Sequence, residues 1–374
     1  MDIFKKIFGT ASSMMGGGQG DAALGIDIGT SAIKVVEIKK KGGKAMLETY
    51  GAISLGPYAE MDMGKVTNLS EEKIAEALKE VLKQSSAMTK SAVVAIPVQS
   101  SLIFNIALPP HVNPSEMDQV IRTEARKYIP VPMDEVSLDY FVLPEKEPSF
   151  EESNNPDHIE GAKHTEVLSV AIQNEAVNRI RNITTQAEVE SSEMEVEIFS
   201  SIRANFEHEL SPVLLVDFGA SRTKLSLIEF GMLKSYHSVN RGGAEITNSI
   251  AQSLSIPFAK AEELKKEFGL YDNPIEKDVT HIINTHIDYI FSEINNVLLS
   301  HEKKYGRTIS KVIFTGGGSL LKGLREVAAN NFRSEIIIGH PFNKIGAPEF
   351  LKKVLDTTGP EFAVAVGLAL RKLQ

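Results

Sequence analysis

Two segments far apart in the chain carry the same set of residues that can bind phosphate and a metal ion. In each, an apolar strand ends in Asp-x-Gly, at Asp27 and at Asp217, and small hydroxyl-bearing residues follow. An amphipathic strand follows each turn, which predicts a β-hairpin with a glycine at its tip. Backbone amides at such a tip can approach an anion closely, and an aspartate can hold a hard cation. Two facing tips would therefore bind the phosphates of a nucleotide, with Asp27 and Asp217 on its Mg²⁺.

The phosphate-binding groups predicted at these tips are backbone amides, hydroxyls and one lysine. They are Gly29, Thr30, Ser31 and Lys34 in the first hairpin, and Gly219, Ala220 and Ser221 in the second. Lys34 lies inside the second strand of its hairpin, and strand alternation allows it to point either to the cleft or to solvent. The two orientations stay open from the sequence.

A third glycine-rich turn follows an apolar strand that begins at Lys311. Gly316, Gly317 and Gly318 are consecutive and lead into an amphipathic segment with apolar residues from Leu320 to Val327. Glycines between a strand and a helix let the backbone pass against a flat ligand. An ordinary tight turn is the alternative, although one or two glycines suffice for it.

Alternating strand and helix patterns position these turns and predict an α/β fold. Ser70 caps a helix with an apolar stripe, and 92–96 follows as a short buried strand. From Val213 the second half repeats the strand–turn–strand pattern of the first, which favours a cleft between two halves. A long apolar periodicity over 278–304 predicts a core helix, with His286 packed in it rather than binding a ligand.

Composition excludes several functional classes. A chain of 374 residues is too long to fold around one ordinary hydrophobic core, which predicts at least two subdomains. A net charge of -9 argues against nucleic-acid binding, and the chain contains neither cysteine nor a paired-histidine zinc motif. No apolar run is long enough to span a membrane. Residues 1–8 form a short amphipathic segment that is either a membrane contact or a frayed tail, and 16–20 is a flexible linker by composition.

The order of two phosphate hairpins and a glycine-rich adenosine turn resembles the actin-like ATPases. Within that superfamily, three further stretches resemble the PilM family of type IV pilus assembly. They are Glu124-Ala125-Arg126-Lys127-Tyr128-Ile129-Pro130 with Asp134-Glu135-Val136 after it, Ala261-Glu262-Glu263-Leu264-Lys265-Lys266, and 359–370, which begins Gly359-Pro360-Glu361-Phe362. The resemblance runs from about Ala23 to the C-terminus.

The resemblance implies a duplicated, ribonuclease H-like actin fold, with two lobes around a nucleotide cleft and the inserted subdomain that FtsA and PilM share. The implied domains are a tail over 1–21, a first lobe over 22–98, 171–211 and 360–374, an inserted α/β subdomain over 99–170, and a second lobe over 212–359 with its outer part about 241–306. An acidic stretch over 144–160 reads as an exposed loop in the insertion.

Further site residues follow from the resemblance. Gly242 and Gly243 correspond to the Gly-Gly after the second phosphate hairpin. Glu262 and Lys265 match a pair that holds the ribose and the base edge, although a solvated charged helix face is the alternative. Glu197 matches the residue that positions the attacking water. Because its surroundings, Ile198 and Phe199-Ser200-Ser201, differ from those in efficient hydrolases, we expect ATP binding with at most slow hydrolysis.

The resemblance implies a cytoplasmic adaptor that joins the inner-membrane pilus platform through the cytoplasmic N-terminus of a PilN-like membrane protein. An FtsA-like filament-forming protein and a sugar or acid kinase are the alternatives. The sequence shows neither an evident general-base aspartate outside the hairpins nor the C-terminal amphipathic tail of FtsA. Membrane contact, self-association and the type of machine stay open.

The inserted subdomain is the predicted partner surface. It offers the strand 101–108 and a groove beside Met117, Ile121 and Tyr128, with Arg122 and Arg126 one helical turn apart. The alternative is that the three apolar residues pack the subdomain's own core.

Overall fold

A computed structural model describes residues 22–109, 112–113, 115–143, 165–207, 209, 211–271 and 277–373. The tail over 1–21 with its amphipathic segment and the acidic stretch over 144–160 lie outside the described residues.

Strands and helices alternate along the described chain. The strands are β1 (Ala22–Ile28), β2 (Ala32–Lys41), β3 (Lys44–Ser54), β4 (Ser91–Ile96), β5 (Ser101–Ala107), β6 (Val136–Val142), β7 (Glu166–Gln173), β8 (Glu190–Val196), β9 (Val213–Phe218), β10 (Thr223–Glu229), β11 (Met232–Val239), β12 (Lys311–Thr315) and β13 (Glu335–Ile338). The helices are α1 (Glu71–Gln84), α2 (Met117–Ala125), α3 (Asn174–Gln186), α4 (Glu197–Asn205), α5 (Gly243–Leu254), α6 (Phe258–Phe268), α7 (Lys277–Tyr305), α8 (Leu324–Asn331), α9 (Lys352–Thr358) and α10 (Ala363–Leu373).

Two five-stranded sheets share one topology. Their strand orders are β3-β2-β1-β4-β8 and β11-β10-β9-β12-β13. Each begins with an antiparallel hairpin and continues with parallel strands: β4 beside β1, and β12 beside β9. The central strands β1 and β9 are apolar and buried along most of their length, as expected for strands covered on both faces. The duplication predicted from the sequence is therefore present in the fold.

Local sequence signals explain several helix and strand limits. The side chain of Ser70 accepts a hydrogen bond from the Lys73 amide at the start of α1, and this confirms the predicted cap. The predicted core helix over 278–304 is α7, in which His286 is buried and hydrogen-bonded to Ser249. The segment after the glycine triad is broken, because Gly323 in the left-handed region separates a short 3-10 turn from α8.

The C-terminal helix α10 packs against β1 and α4, as the sequence predicts for a helix returning to the first half. Two glycines permit the close approach. An added Cβ at Gly25 would lie 2.1 Å from the Ala365 carbonyl oxygen, and one at Gly367 would lie 1.9 Å from that of Ser200. The helix therefore fixes β1 and α4 next to each other.

The chain divides into two compact units. One is formed by residues 96–181, and the other contains both five-stranded sheets. In the unit over 96–181, β5, β7 and β6 form an antiparallel sheet whose edge strands are β5 and β6. Its hydrophobic core comprises residues from β5, α2 and β7 and the segments that follow β5 and α2, namely Ile106, Leu108, Ile121, Ala125, Ile129, Val167 and Ala171.

This unit corrects two expectations. The sequence Asn113-Pro114-Ser115-Glu116 has the cap residue, proline and glutamate of a helix start and predicts a helix capped by Asn113. Helix α2 instead begins at Met117, and Glu116 occupies its cap position without a side-chain hydrogen bond. Ile121 is completely buried and Met117 packs against the same core, so neither lines an open groove. Tyr128 is 48% exposed and stacks on Phe104.

None of the helices in the described ranges combines the length and apolarity needed to cross a membrane.

Candidate functional site

The two Asp-x-Gly hairpins have the same register and the same hydrogen bond across the turn. Asp27 faces Lys34 across the first hairpin, and Asp217 faces Lys224 across the second, at the same register position. In each tip the glycine amide closes the turn with a 3.0 Å hydrogen bond, from Gly29 to the Ala32 carbonyl and from Gly219 to the Arg222 carbonyl. The repeat seen in the sequence thus extends to single backbone atoms.

The two tips face each other. The Thr30 hydroxyl donates to the Ser221 hydroxyl at 3.3 Å, which brings the first turn against the second across the opening between the sheets. The predicted phosphate-binding residues of both hairpins are therefore gathered in one place. The side chains on these tips are small, so an anion can reach the backbone.

The peptide groups of the tips are oriented for an anion. Their carbonyls are engaged by the surrounding chain: the Thr67 amide binds the Thr30 carbonyl at 2.9 Å, and the Ala244 amide binds the Ala220 carbonyl at 2.9 Å. Within the part of the chain that is described, the amides of Thr30, Ser31, Ala220 and Ser221 donate no backbone hydrogen bond. Unpaired amides at a turn are the donors that bind phosphate oxygens.

A cluster of opposite charges lies beneath the tips. The Lys224 ammonium lies 2.5 Å from Glu197 Oε2 and 3.2 Å from Asp217 Oδ2. Burial disfavours the charge on Lys224, but the carboxylates of Asp217 and Glu197 outweigh it and raise the pKa of the lysine. Sequence reasoning missed Lys224, although a signal existed: it follows Asp217 at the spacing at which Lys34 follows Asp27.

Among the carboxylates of Asp27, Asp217 and Glu197, that of Asp27 is the one whose burial is least compensated by neighbouring positive charge. Burial raises its pKa to about 6, and the nearby Glu197 and Asp217 add to the rise while Lys34 and Lys224 oppose it. A carboxyl group that resists ionisation gains most from an added cation. Lys34 lies on the same hairpin face as Asp27, which places its ammonium towards the cleft rather than away from it.

The acidic residues are suited to Mg²⁺ only in company with phosphate. Across the described ranges, no three acidic or histidine side chains converge closely enough to hold a metal by themselves. Mg²⁺ in nucleotide sites is usually held by one or two carboxylates together with phosphate oxygens and water. Asp27 and Asp217 fit that donor set, since each is the penultimate residue of a strand that leads into a tip with free amides.

Glu262 and Lys265 form a partly buried network rather than a solvated face. The Lys265 ammonium donates to Glu262 at 2.7 Å, to the Thr247 hydroxyl at 2.8 Å and to the Gly243 carbonyl at 3.0 Å. Burial opposes the charge of Glu262, yet Lys265 and the Thr247 hydroxyl hold its pKa below the usual value. The pKa of Lys265 is lowered because burial outweighs its pairing with Glu262. These contacts join α6 to the first turn of α5.

Gly242 and Gly243 connect this network to the second tip. The Gly243 amide donates to the Gly219 carbonyl at 3.0 Å. An added Cβ at Gly242 would lie only 2.3 Å from the Ala220 carbonyl oxygen. Gly242 is thus required by packing between α5 and the tip.

The three glycines after β12 differ in what they contact. Gly316 has a φ of 79°, and a Cβ there would lie 2.5 Å from Asp217 Oδ1. A Cβ at Gly318 would lie 2.3 Å from the Phe218 ring. At Gly317 the nearest atom is Glu361 Cγ at 3.6 Å, which is ordinary van der Waals contact. Internal packing therefore accounts for two of the glycines and leaves space at the third.

Glu197 lies at the first turn of a helix. It is the first residue of α4, directly after β8, and its side chain is 11% exposed. Its carboxylate is bound to Lys224, which the sequence did not foresee, because the pair joins the first half of the chain to the second hairpin.

A family model described as "Type IV pilus assembly protein PilM" matches residues 25–373 of this chain. Among curated proteins, the cell division protein FtsA of Pseudomonas aeruginosa is 23% identical over 392 residues, which cover 95% of this chain and 90% of FtsA. FtsA of Staphylococcus epidermidis is 26% identical over 174 residues, covering 41% of this chain and 37% of that protein.

Three solved structures show the same fold. A "PilM-PilN type IV pilus biogenesis complex" matches with a TM-score of 0.78 and 24% identity, over 96% of this chain and 100% of that chain. The ethanolamine utilization protein EutJ of Carboxydothermus hydrogenoformans matches with a TM-score of 0.53 and 16% identity, over 93% and 89%. MreB5 of Spiroplasma citri, solved with ADP, matches with a TM-score of 0.50 and 11% identity, over 94% and 95%. The fold is therefore that of the actin-like ATPases.

Proposed function

Since this chain belongs to the family of the type IV pilus assembly protein PilM, we propose that it is an ATP-binding adaptor of the pilus assembly platform. One observation carries the nucleotide part of the proposal. The tips of two matching hairpins face each other, with 3.3 Å between the hydroxyl oxygens of Thr30 and Ser221. Both tips have free amides, and an aspartate is the penultimate residue of each preceding strand. A triphosphate supplies the anion that such a pair of tips can bind.

The residues divide among the parts of the nucleotide. The tip residues of both hairpins and Lys34 bind the phosphates, while Gly317 and the Glu262–Lys265 pair border the adenosine. Asp27 and Asp217 hold Mg²⁺ together with phosphate oxygens, and the ion supplies neutralisation of the phosphate charge. Without a cation, the three carboxylates beneath the tips outnumber Lys34 and Lys224 and would repel the triphosphate.

The adaptor part of the proposal rests on the family and on the likeness to a PilM in a PilM–PilN complex. The partner is a membrane protein of the PilN kind, bound through a short extended cytoplasmic segment. This assigns the chain to the cytoplasm, attached to the inner membrane through that partner. The exposed surface of the unit over 96–181 supplies an edge strand, β5, with Leu102 and Tyr128 exposed near it.

The nucleotide site is tested by calorimetry with Mg·ATP on the intact chain. Asp217→Ala should weaken binding more than tenfold, about 1.4 kcal/mol, because the variant loses a cation ligand at the second tip. Asp356→Ala, an exposed change on α9, serves as the control and should bind like the unaltered chain. Equal affinity with and without Asp217 would reject the cleft.

The kinase alternative has no support in the described cleft, where the buried acidic groups are Asp27, Asp217 and Glu197 beside the tips. A phosphotransferase needs a further base facing an acceptor hydroxyl. ATP consumption measured with a panel of sugar and acid acceptors separates the readings, since an adaptor should show no acceptor-dependent rate.

A further inference from the structure

Lys224 connects two carboxylates that come from different halves of the nucleotide-binding unit. Glu197 begins α4, directly after the last strand of the first sheet, and Asp217 lies in β9 of the second. All three side chains are largely buried, with 14% of Lys224, 11% of Glu197 and 16% of Asp217 exposed. A charge-assisted contact of 2.5 Å in such surroundings is short and strong.

The equivalent lysine of the first hairpin is not held in this way. Lys34 occupies the same register position opposite Asp27, yet it has no carboxylate within ion-pair distance among the described residues. Lys34 is thus available to an anion, whereas Lys224 is paired with Glu197 and Asp217. The two halves of the duplication have different roles at this position.

Lys224 and Glu197 both lie in secondary-structure elements that are held by neighbouring elements. Lys224 is in β10, an internal strand of its sheet. Helix α4 is held by α10, where Gly367 lets the helix pack directly on the Ser200 backbone, and the Arg203 guanidinium donates to the Gly367 carbonyl at 3.0 Å. Neither side chain can leave the other by movement of a flexible loop.

We propose that Lys224 is a positioning residue that keeps Glu197 from orienting an attacking water, and that it thereby sets the low turnover of the bound ATP. A carboxylate positions or activates water through its lone pairs and negative charge. The ammonium at 2.5 Å occupies a lone pair of Oε2 and neutralises the charge. This inference rests on the proposed nucleotide site and names the residue that limits its chemistry.

The test compares ATP hydrolysis and ATP affinity in the same preparations. The unaltered chain should hydrolyse on the order of one ATP per minute or less, against a median of about ten per second for enzymes. Lys224→Met removes the ammonium while keeping a long side chain, and should raise kcat at least tenfold. Lys224→Arg keeps the charge and should stay slow.

Dependence on Glu197 distinguishes release of that carboxylate from a merely structural effect. Lys224→Met combined with Glu197→Gln should return to the slow rate, because no carboxylate remains to orient water. Lys39→Gln, an exposed change in β2, is the matched lysine control and should leave kcat and ATP affinity unchanged. Circular dichroism and melting temperature verify folding of each variant.

If Lys224→Met does not fold because it leaves two carboxylates unpaired, Lys224→Gln provides a neutral donor for the same comparison. An unchanged or lower kcat in a folded neutral variant that still binds ATP would overturn the proposal. A folded variant that loses ATP affinity would also overturn it and would assign Lys224 to phosphate binding. If the unaltered chain binds no ATP, the proposed function fails, and the role of Lys224 fails with it.

Discussion

Close contacts at Gly316, Gly317 and Gly318 determine which of these glycines can be substituted to test nucleotide binding. A side chain at Gly316 is excluded by its φ of 79° and by Asp217, and one at Gly318 is excluded by the Phe218 ring. Substitutions there would therefore disturb the fold as well as the proposed nucleotide site. A Cβ at Gly317 would lie no closer than 3.6 Å to Glu361, its nearest contact, so this position accepts a methyl group within the protein itself.

Gly317→Ala should therefore keep its stability and lose ATP affinity at least tenfold, because the methyl group occupies space against the ligand. The measurements are calorimetry with Mg·ATP and urea unfolding. Gly318→Ala is the contrast and should lose stability as well, by about 1 to 3 kcal/mol, since the core must move to accept it. Full affinity in Gly317→Ala would place the adenosine elsewhere.

Some residues of the candidate site can be found from the sequence alone, whereas their long-range contacts cannot. The positions of Asp27, Asp217 and the three glycines follow from local patterns, because strands and turns have short-range signatures. The Lys224–Glu197 pair joins residues 27 positions apart in sequence through two sheets, and no local pattern encodes it. The burial of Glu262 and Lys265 was equally hidden, because charge spacing on a helix is the same for a solvated and a packed face.

Among the elements, α10 and β8 determine how α4 is held. Glu195 of β8 is completely buried and accepts two hydrogen bonds from Arg203 and one from Arg371, each at 2.7 Å. Ser200 also donates to it. Burial opposes the charge of Glu195, but Arg203 and Arg371 hold its pKa below the usual 4.5. This cluster ties α4, α10 and β8 together next to Glu197.

Glu195→Gln should lower the free energy of unfolding at pH 7 by about 3 kcal/mol, because it leaves two buried guanidinium groups undercompensated. A depressed folded-state pKa stabilises above the unfolded value and loses that contribution as the pH falls through the folded one. The difference between the two proteins should therefore shrink below about pH 4.5 in urea titrations.

Glu188→Gln provides the control, since Glu188 pairs with Lys79 at the surface and its exchange should have little effect at any pH. A stability difference for Glu195→Gln that does not change between pH 7 and pH 3.5 would mean that packing, and not charge, holds α4.

The ends of helices and strands can be predicted from the sequence where local patterns determine them. The prediction is wrong where tertiary packing determines the end instead. Strand β5 was predicted over 101–108 and lies at Ser101–Ala107, and the cap of α1 at Ser70 is confirmed. Helix α2 instead starts at Met117, although Asn, Pro and Glu before it form a typical start signal. The spacing of Ile121 along the helix is compatible with either a groove residue or a core residue. Its complete burial in the structure shows that it is a core residue.

For the whole molecule, the division into two units separates the proposed nucleotide site from the proposed partner surface. The hairpin tips and the glycine turn lie in the unit with both five-stranded sheets, while the unit over 96–181 has its own core and sheet. On that unit Arg122 and Arg126 are exposed. Arg122 makes a 2.9 Å surface ion pair with Asp118, which costs little to break.

Charge reversal of Arg122 and Arg126 to glutamate should therefore abolish binding of a peptide that copies the cytoplasmic N-terminus of a PilN-like protein. Melting temperature and ATP affinity should be unchanged, since both side chains are outside the core. Fluorescence anisotropy measures the peptide, and Lys39→Glu with Lys40→Glu, two exposed positions of β2, matches the change in charge. Ile121→Ala should instead lose about 2 to 5 kcal/mol of stability through its cavity. Peptide binding that survives reversal of both arginines would move the partner site away from α2, and unfolding of that variant would make the helix surface part of the core.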